Sequence, residues 1–301
     1  MTPREIIAEA WAITKRGKQL RRWGVFSSFL ETLLSLKLLS YQIYFLWQFF
    51  TGYESGFFDV EIAVAKHFPL WFTVIFIGGF LLLMAIEWVM PHLATGAIIG
   101  LAAKSHRKED DEGGFVLALY NFFPIFVTHE FFVFGSTSLL ITFCSVVLRY
   151  IDGNIKILII LFAIGIWAFT NVLGFLSSFA PAAIVVQKKG IFEAIGQSFK
   201  LIVSHLSHVM FLLLLLLVIS LRVALNAAVV LLVPGLVIGL GLLLAMFFSP
   251  VVSYTAASIV GMGLILLASY FFGYLHVFKE TVWTITYMEL KKKKDLDVIE
   301  G

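Results

Sequence analysis

Long apolar stretches alternate with short charged ones along the chain, and this alternation constrains the fold more than any other feature. Six stretches are at least as long as the ~20 apolar residues that a helix needs to cross a bilayer. They are 24–50, 69–103, 122–149, 155–187, 208–233 and 254–290. Charged residues make up only 14% of the chain, whereas soluble domains carry about 25%. The sequence therefore predicts an all-α integral membrane protein, a single membrane domain over 1–301 with six transmembrane helices.

The distribution of basic residues predicts the orientation of these spans. Most of the basic residues lie in four segments, 15–22, 104–108, 188–200 and 291–294. The connections at 51–68 and 150–154 are short and neutral or acidic. Connections rich in Lys and Arg stay in the cytoplasm. We therefore expect a multi-pass protein of the cell (cytoplasmic) membrane with both termini inside and 291–301 as a cytoplasmic tail.

Prolines interrupt the longest apolar stretches. Pro91 and Pro181 fall inside the second and fourth spans, where each is predicted to kink its helix. Pro234 and Pro250 bracket an apolar piece that is too short for a comfortable span. Counting this piece as a seventh span would place the C-terminal basic run outside the cell. The sequence therefore predicts a re-entrant or interfacial segment, 235–248, whose backbone is shielded by protein.

Each odd-numbered span follows a segment with the pattern of an amphipathic interfacial helix. The N-terminal segment is 3–22, and the middle one begins after Gly113-Gly114. The clearest is 190–207, in which Gln197 and Lys200 are predicted to face away from the bilayer. Its apolar stripe consists of Ile191, Ile195, Phe199, Ile202 and Leu206.

These segments suggest an internal repeat. Glu9-Ala10 and Glu193-Ala194 occupy matching places, and Ala118 sits similarly in the middle copy. The pattern indicates a possible threefold repeat of interfacial helix plus helical hairpin. The first hairpin is 24–103, the second is 113–187 and the third is 190–290. The alternative is three ordinary amphipathic linkers.

Three short motifs resemble a known family. They are Glu-Ala-Trp-x-Ile leading into Leu-Arg-Arg-Trp-Gly, a Gly-Gly before the third span, and Gly-Ile-Phe-Glu-Ala-Ile-Gly-Gln-Ser-Phe-Lys-Leu before the fifth. Together they resemble the uncharacterised prokaryotic families around the membrane domain of glycerophosphoryl diester phosphodiesterase. The resemblance covers nearly the whole chain and implies a helical membrane domain. The catalytic barrel of that enzyme has no counterpart here, so the resemblance carries no phosphodiesterase activity and leaves the function open.

Ionisable and polar groups inside apolar spans are costly in hydrocarbon and are the usual pointers to function. The candidates are Glu31, Lys37, Glu87, His92, His129, Glu130, Asn171, Arg222, His276 and Glu280. His and Glu are ligand types for zinc, but a His-Glu-x-x-His signature is missing, so no metal or other cofactor is assigned. The open alternatives are a polar network that joins helices and a proton or ion pathway.

Lys37 lies near the middle of the first span, too deep to reach the interface fully. We predict an acidic or polar partner for it. Glu31 is six residues away on the same helix, about 120° around the axis, and is a poor direct partner. Glu87 and Glu130 come from other helices, but each sits roughly 10 Å closer to the cytoplasm, so contact requires tilt or a bridging group. The guanidinium of Arg222 is predicted to reach the outer membrane interface through its long aliphatic side chain.

No motif identifies a substrate or a reaction. The sequence contains no Walker loop, dinucleotide fingerprint or Gly-x-Ser-x-Gly, and the placement of its basic residues reports membrane orientation, not nucleic-acid binding. Cys144, the only cysteine, excludes an intrachain disulfide. The sequence favours a structural, lipid-associated or partner-binding role over an enzyme. Membrane lipids are the expected partners, with other membrane proteins or a second copy as further candidates. The alternatives are a small ion- or solute-coupled transporter and a membrane-embedded metal-dependent or lipid enzyme.

The orientation can be tested with reporter fusions. Reporters at Gly56 and Gly153 should be external, whereas reporters at Gly113 and after Lys294 should be cytoplasmic, because the basic segments stay inside. The measurement is the paired activity of a reporter active only outside and one active only inside. An external C-terminus would mean that 235–248 crosses the membrane.

Overall fold

The computed structural model describes residues 1–52, 62, 65–110 and 112–292, with the backbone alone described at 40, 250, 254 and several positions between 222 and 240. Helices make up 88% of the structure, and the described residues contain no strand. The predicted all-α class is therefore confirmed. The main α-helices, in chain order, are α1 (Pro3–Arg16), α2 (Lys18–Phe50), α3 (Leu70–His106), α4 (Gly114–Glu130), α5 (Thr137–Tyr150), α6 (Ile155–Leu176), α7 (Ala180–Gln187), α8 (Ile191–Ser204), α9 (Leu206–Leu244) and α10 (Pro250–Lys292).

Four helical segments are long and apolar enough to cross a membrane, as judged by length and composition. They are Leu70–His106, Ile155–Gln187, Leu206–Leu225 and Val251–Lys292. These segments coincide with the second, fourth, fifth and sixth predicted spans. Of the predicted tail 291–301, only Lys291 and Lys292 lie within the described residues, where they end α10.

The first and third predicted spans differ from these four. Helix α2 has 33 residues and is about 50 Å long, but Glu31, Lys37 and its hydroxyl and amide residues lower its hydropathy. The single helix predicted over 122–149 is wrong, because α4 ends at Glu130 and a 3-10 helix, Val133–Gly135, follows before α5. The Ser136 side chain caps α5 by accepting a hydrogen bond from the Leu139 N–H at 3.4 Å. A hydroxyl at this position favours starting a new helix over continuing the previous one.

The segment 235–248, predicted to be re-entrant or interfacial, does not begin as a new helix after Pro234. Helix α9 continues through Pro234 to Leu244, so most of that segment extends α9. Proline removes one backbone hydrogen bond and costs about 3 kcal/mol inside a helix. The apolar residues on both sides still satisfy their other backbone groups by remaining helical, which outweighs this single loss in an apolar environment.

Pro91 and Pro181 have different local effects. Pro91 lies inside the continuous helix α3. The kink predicted at Pro181 is instead a break just before it, because α6 ends at Leu176 and Pro181 is the second residue of α7. Proline is well suited to the first turn of a helix, where its missing N–H would have had no partner.

The chain forms two compact units. The first contains Met1–Thr32, Pro91–Thr128 and the residues from Leu176 onward, and the second lies within Leu33–Met90 and His129–Phe175. The core of the first unit is apolar and draws on α1, α2, α3, α9 and α10. It consists of Ile6, Ala10, Ile13, Leu20, Ile98, Leu101, Ala102, Leu212, Leu216, Val277, Phe278, Val282 and Ile285.

The segments predicted to lie in the interface pack against protein. Helix α1 ends at Arg16, short of the predicted 3–22, and its apolar residues enter the core. In α8 the stripe residue Ile202 is fully buried. Gln197, predicted to face away, accepts a hydrogen bond from the Tyr287 hydroxyl at 3.2 Å. The other buried residues of α8 are Ala194, Ser198 and Leu201, and the stripe residue Leu206 is 48% exposed. Amphipathic spacing therefore located only part of the buried face of α8, and it could not distinguish a protein surface from a lipid surface.

Two glycines allow α2 and α10 to touch through their backbones in the first unit. A Cβ at Gly273 would lie 2.7 Å from both the Cα and the N of Val25. A Cβ at Gly24 would lie 2.7 Å from the carbonyl oxygen of Gly273. Because these neighbours are backbone atoms, no side-chain rotation can make room. Small residues of this kind permit close helix packing in membranes.

We expect Gly273→Ala to destabilise the protein by about 1–3 kcal/mol, the usual cost of an overpacked site. The measurement is unfolding of the purified protein in detergent. Gly263→Ala is the matched control on the same helix, since a Cβ there meets nothing within 4 Å. Equal stability of the two variants would contradict the close contact.

Candidate functional site

The second unit contains an ion pair between two of its long helices. The Nζ atom of Lys37 in α2 lies 2.7 Å from Oε1 and 2.9 Å from Oε2 of Glu87 in α3. The Glu87 side chain is 0% exposed and that of Lys37 is 21% exposed. The ammonium also lies 5.3 Å from the centre of the Phe80 ring. The prediction of an acidic partner for Lys37 is confirmed, and Glu87 is that partner.

The helix ends explain why these two residues meet despite their predicted difference in depth. At 1.5 Å per residue along the helix axis, Lys37 lies about 20 Å from the end of α2 at Phe50. Glu87 lies about 26 Å from the start of α3 at Leu70. The remaining difference of about 6 Å is within reach of the long Lys stem. The pair therefore forms directly, without the bridging group that the sequence had suggested.

Two further polar residues extend this contact along α2 and α5. The Nε2 atom of Gln42 donates to the Ser138 carbonyl oxygen at 3.0 Å and lies 2.9 Å from Ser138 Oγ and 3.0 Å from Thr142 Oγ1. The Arg149 guanidinium donates to the Phe45 carbonyl oxygen and lies 4.8 Å from the centre of the Phe45 ring. We call Lys37, Gln42 and Arg149 with their partners the polar seam.

The sequence prediction missed Gln42 and Arg149. Gln42 is neutral and Arg149 lies at the end of an apolar stretch, so neither is an ionisable residue well inside a predicted span. The available signal was the i, i+4 pair Ser138 and Thr142 on α5, which places two hydroxyls on one helix face. Such a pair is a suitable acceptor for an amide on a neighbouring helix.

Other predicted residues of the second unit are also engaged. The Asn171 amide donates to the Gly135 carbonyl oxygen at 3.0 Å and to the Trp167 carbonyl oxygen at 2.8 Å, which ties α6 to the 3-10 helix. At the end of α4, His129 Nδ1 lies 3.3 Å from Glu130 Oε1. The Asn171 contact with Gly135 joins two segments of the unit, whereas the His129–Glu130 contact lies within α4.

The predicted residues of the first unit do not form one site. Glu31 accepts a hydrogen bond from Ser27 of its own helix at 3.0 Å, and the His92 ring lies edge-on to Phe126 at 5.4 Å. His276 and Glu280 share a helix face by spacing, but the described contacts include no hydrogen bond between them. His276 Nε2 is buried and has no partner among the described residues. The Arg222 side chain lies outside the described residues.

A second cluster that sequence reasoning missed joins three helices of the first unit. His106 Nδ1 lies 2.7 Å from Glu9 Oε1, and His106 Nε2 lies 3.5 Å from Glu289 Oε1. Glu289 also pairs with Lys292 and with the amino group of Met1. The cluster links α1, α3 and α10. His106, Glu289, Lys292 and Met1 lie at or near the ends of helices, and Glu9 lies in the amphipathic helix α1, so none of them lies well inside a long apolar stretch.

Comparisons with known proteins give no match. No protein-family model matches the chain, and neither a curated protein nor a solved structure matches it. The resemblance to the membrane domain of glycerophosphoryl diester phosphodiesterase therefore stays a prediction. What the site can do must be argued from its own geometry.

We expect Lys37→Met and Glu87→Met each to destabilise the protein by on the order of 3 kcal/mol, because each leaves one buried charge without its partner. The double variant should recover most of that loss, since no charge remains buried. Lys37→Asp should be the least stable, because it places two carboxylates together. The measurement is a double-mutant cycle of unfolding in detergent. Additive losses in the double variant would show that the two residues are not coupled.

Proposed function

We propose that this chain is a structural, lipid-associated protein of the cell membrane, in which the polar residues of the apolar helices hold those helices together. The direct contact of Lys37 with both oxygens of the fully buried Glu87 carboxylate carries this proposal. A buried charge that is paired in this way serves as a helix connector.

The same contact argues against a coupled transporter. A carboxylate that carries a proton or a cation must be open to that ion for part of the cycle. Glu87 is saturated by an ammonium from another helix, and the Gln42 amide nitrogen has three oxygens within reach. Releasing either group would break a connection between helices.

Membrane lipid is the partner that the surface of the helices fits best. Large apolar side chains project from α3 and α6 without cover from the protein, as at Leu70, Trp71 and Phe162. Each is more than 60% exposed, with values of 78%, 66% and 69%. Apolar surface of this kind is covered by lipid in a membrane protein. A second copy of the chain is the alternative cover.

The proposal retains six spans with both termini cytoplasmic, arranged as a threefold repeat. Two features support the repeat. Helices α1 and α8 each have 14 residues and lead almost directly into a long helix, α2 and α9 respectively. The three alanines at matching places, Ala10, Ala118 and Ala194, are each 0% exposed. The family resemblance is compatible with this architecture and adds no catalytic activity to it.

Flux measurements on reconstituted protein test the structural role. We expect no protein-dependent movement of protons or monovalent cations in liposomes loaded with a pH-sensitive dye, for either the wild type or Glu87→Gln. Protein-free liposomes are the control. A flux that Glu87→Gln abolishes would favour the transporter.

Element analysis of the same preparation tests the alternative of a metal-dependent enzyme, because such an enzyme requires a stoichiometric bound metal.

A further inference from the structure

A groove of about 580 Å³ opens on the surface of the first unit, where the start of α2 meets the start of α4. No residue of the polar seam belongs to it. The side formed by α2 contributes Gln19, Arg22, Trp23 and Phe26, and the side formed by α4 contributes Gly113, Gly114 and Phe115. Its lining is mostly apolar, with a cation and an amide at one end.

The lining changes from polar to apolar along α2. Gln19 and Arg22 are exposed at one end. Phe26 is 42% exposed one turn beyond Arg22, and Phe115 on the facing helix is 65% exposed. The rise from Gln19 to Phe26 is about 10 Å. A ligand that matches this order is an amphiphile with its charged head at Arg22 and its apolar part along the two Phe rings.

Arg22 is free to bind the head of such a ligand. It forms no ion pair with any residue that the structure describes, unlike Lys37 in the second unit. A guanidinium presents a planar fork of donors that matches a phosphate. The first N–H groups of α4 lack acceptors within the helix, and two of the residues that carry them, Gly114 and Phe115, line the same groove.

Two glycines shape the side of the groove formed by the start of α4. Gly113 has a φ of +83°, in the left-handed region that favours glycine. At Gly114, a Cβ would lie 2.8 Å from Trp23 Nε1 and 3.1 Å from Leu101 Cδ1. A side chain at Gly114 would therefore displace Trp23, which forms part of the wall. The glycine pair that marks the start of α4 in the sequence thus has a structural reason.

We infer that this groove binds a glycerophospholipid with an ethanolamine headgroup, with the phosphate on Arg22 and the acyl chains along Phe26 and Phe115. The inference rests on the proposed association with lipid and names its site and headgroup. Tryptophan and arginine at a cytoplasmic interface are suited to binding a phospholipid. The tryptophan ring lies at the depth of the headgroups, and the arginine pairs with the phosphate.

Acidic residues select the headgroup class. Glu109, Asp110 and Glu112 lie just before Gly113 in the sequence, and all three are exposed. A headgroup with net negative charge would be repelled there, whereas an ammonium would be attracted. A primary ammonium donates hydrogen bonds to carboxylates, and a quaternary one has no N–H to donate. The expected order of affinity is therefore phosphatidylethanolamine, then phosphatidylcholine, then phosphatidylglycerol.

The test uses the full-length protein, purified and stripped of lipid by detergent exchange. Dioleoyl forms of the three phospholipids are titrated into it, and binding is followed by native mass spectrometry and by the unfolding midpoint. The wild type should prefer phosphatidylethanolamine to phosphatidylglycerol. Arg22→Gln should bind phosphatidylethanolamine about tenfold more weakly, the loss expected for a charge-assisted contact. Arg16→Gln is the matched control, because it removes the same charge from an exposed position outside the groove.

Each outcome decides between the possibilities. Equal losses in the two Arg variants would mean general surface attraction and would overturn the groove. A wild-type preference for phosphatidylglycerol would overturn the headgroup assignment. A Glu112→Gln variant that still prefers phosphatidylethanolamine to phosphatidylglycerol as strongly as the wild type would overturn it too. Wild-type protein that binds none of the three lipids would overturn the lipid-associated function as well. Unfolding without added lipid separates a binding defect of Arg22→Gln from a folding defect.

Discussion

Transfer of a charged group from water into an apolar interior costs several kcal/mol even after the protein relaxes, and only a well-placed partner recovers that cost. The second unit is organised around this constraint. Glu87 of α3 is fully buried, and the ammonium of Lys37 from α2 compensates the charge of its carboxylate there. The side-chain amides of Gln42 and Asn171 are likewise paired, because they donate hydrogen bonds to hydroxyl and carbonyl oxygens of other segments. Polar residues thereby fix which helices are neighbours in a unit whose apolar surface would otherwise allow many arrangements.

The first unit meets the same constraint within single helices. Thr281 and Thr286 of α10 are fully buried, and each hydroxyl donates to the carbonyl oxygen four residues earlier at 2.7 Å. Thr14 of α1 does the same at 2.8 Å. These hydroxyls need no partner on another helix, so the helices can approach through glycine and alanine. The contact of Gly24 with Gly273 depends on that small size, and the apolar core forms around it.

The sequence predicted the helical class, four helices that are long and apolar enough to cross a membrane, and the need for a partner at Lys37. Apolar length and buried charge are local properties of the sequence. It did not predict the break at Ser136, because hydropathy averaged over a span does not register one capping hydroxyl. It placed a separate segment after Pro234, where the helix continues, because one proline removes only one hydrogen bond. The cluster of Glu9, His106 and Glu289 joins residues far apart in the chain, and such pairings are set by tertiary packing.

The two kinds of charged site differ in what they leave for a ligand. The ammonium of Lys37 already contacts both carboxylate oxygens of Glu87, so another anion would have to displace a partner that is fully buried. Arg22 is exposed, lines the same groove as the first residues of α4 and has no ion-pair partner among the described residues. The buried pair fixes which helices are neighbours. Only the exposed Arg22 leaves a guanidinium that the proposed phospholipid could contact without breaking such a connection.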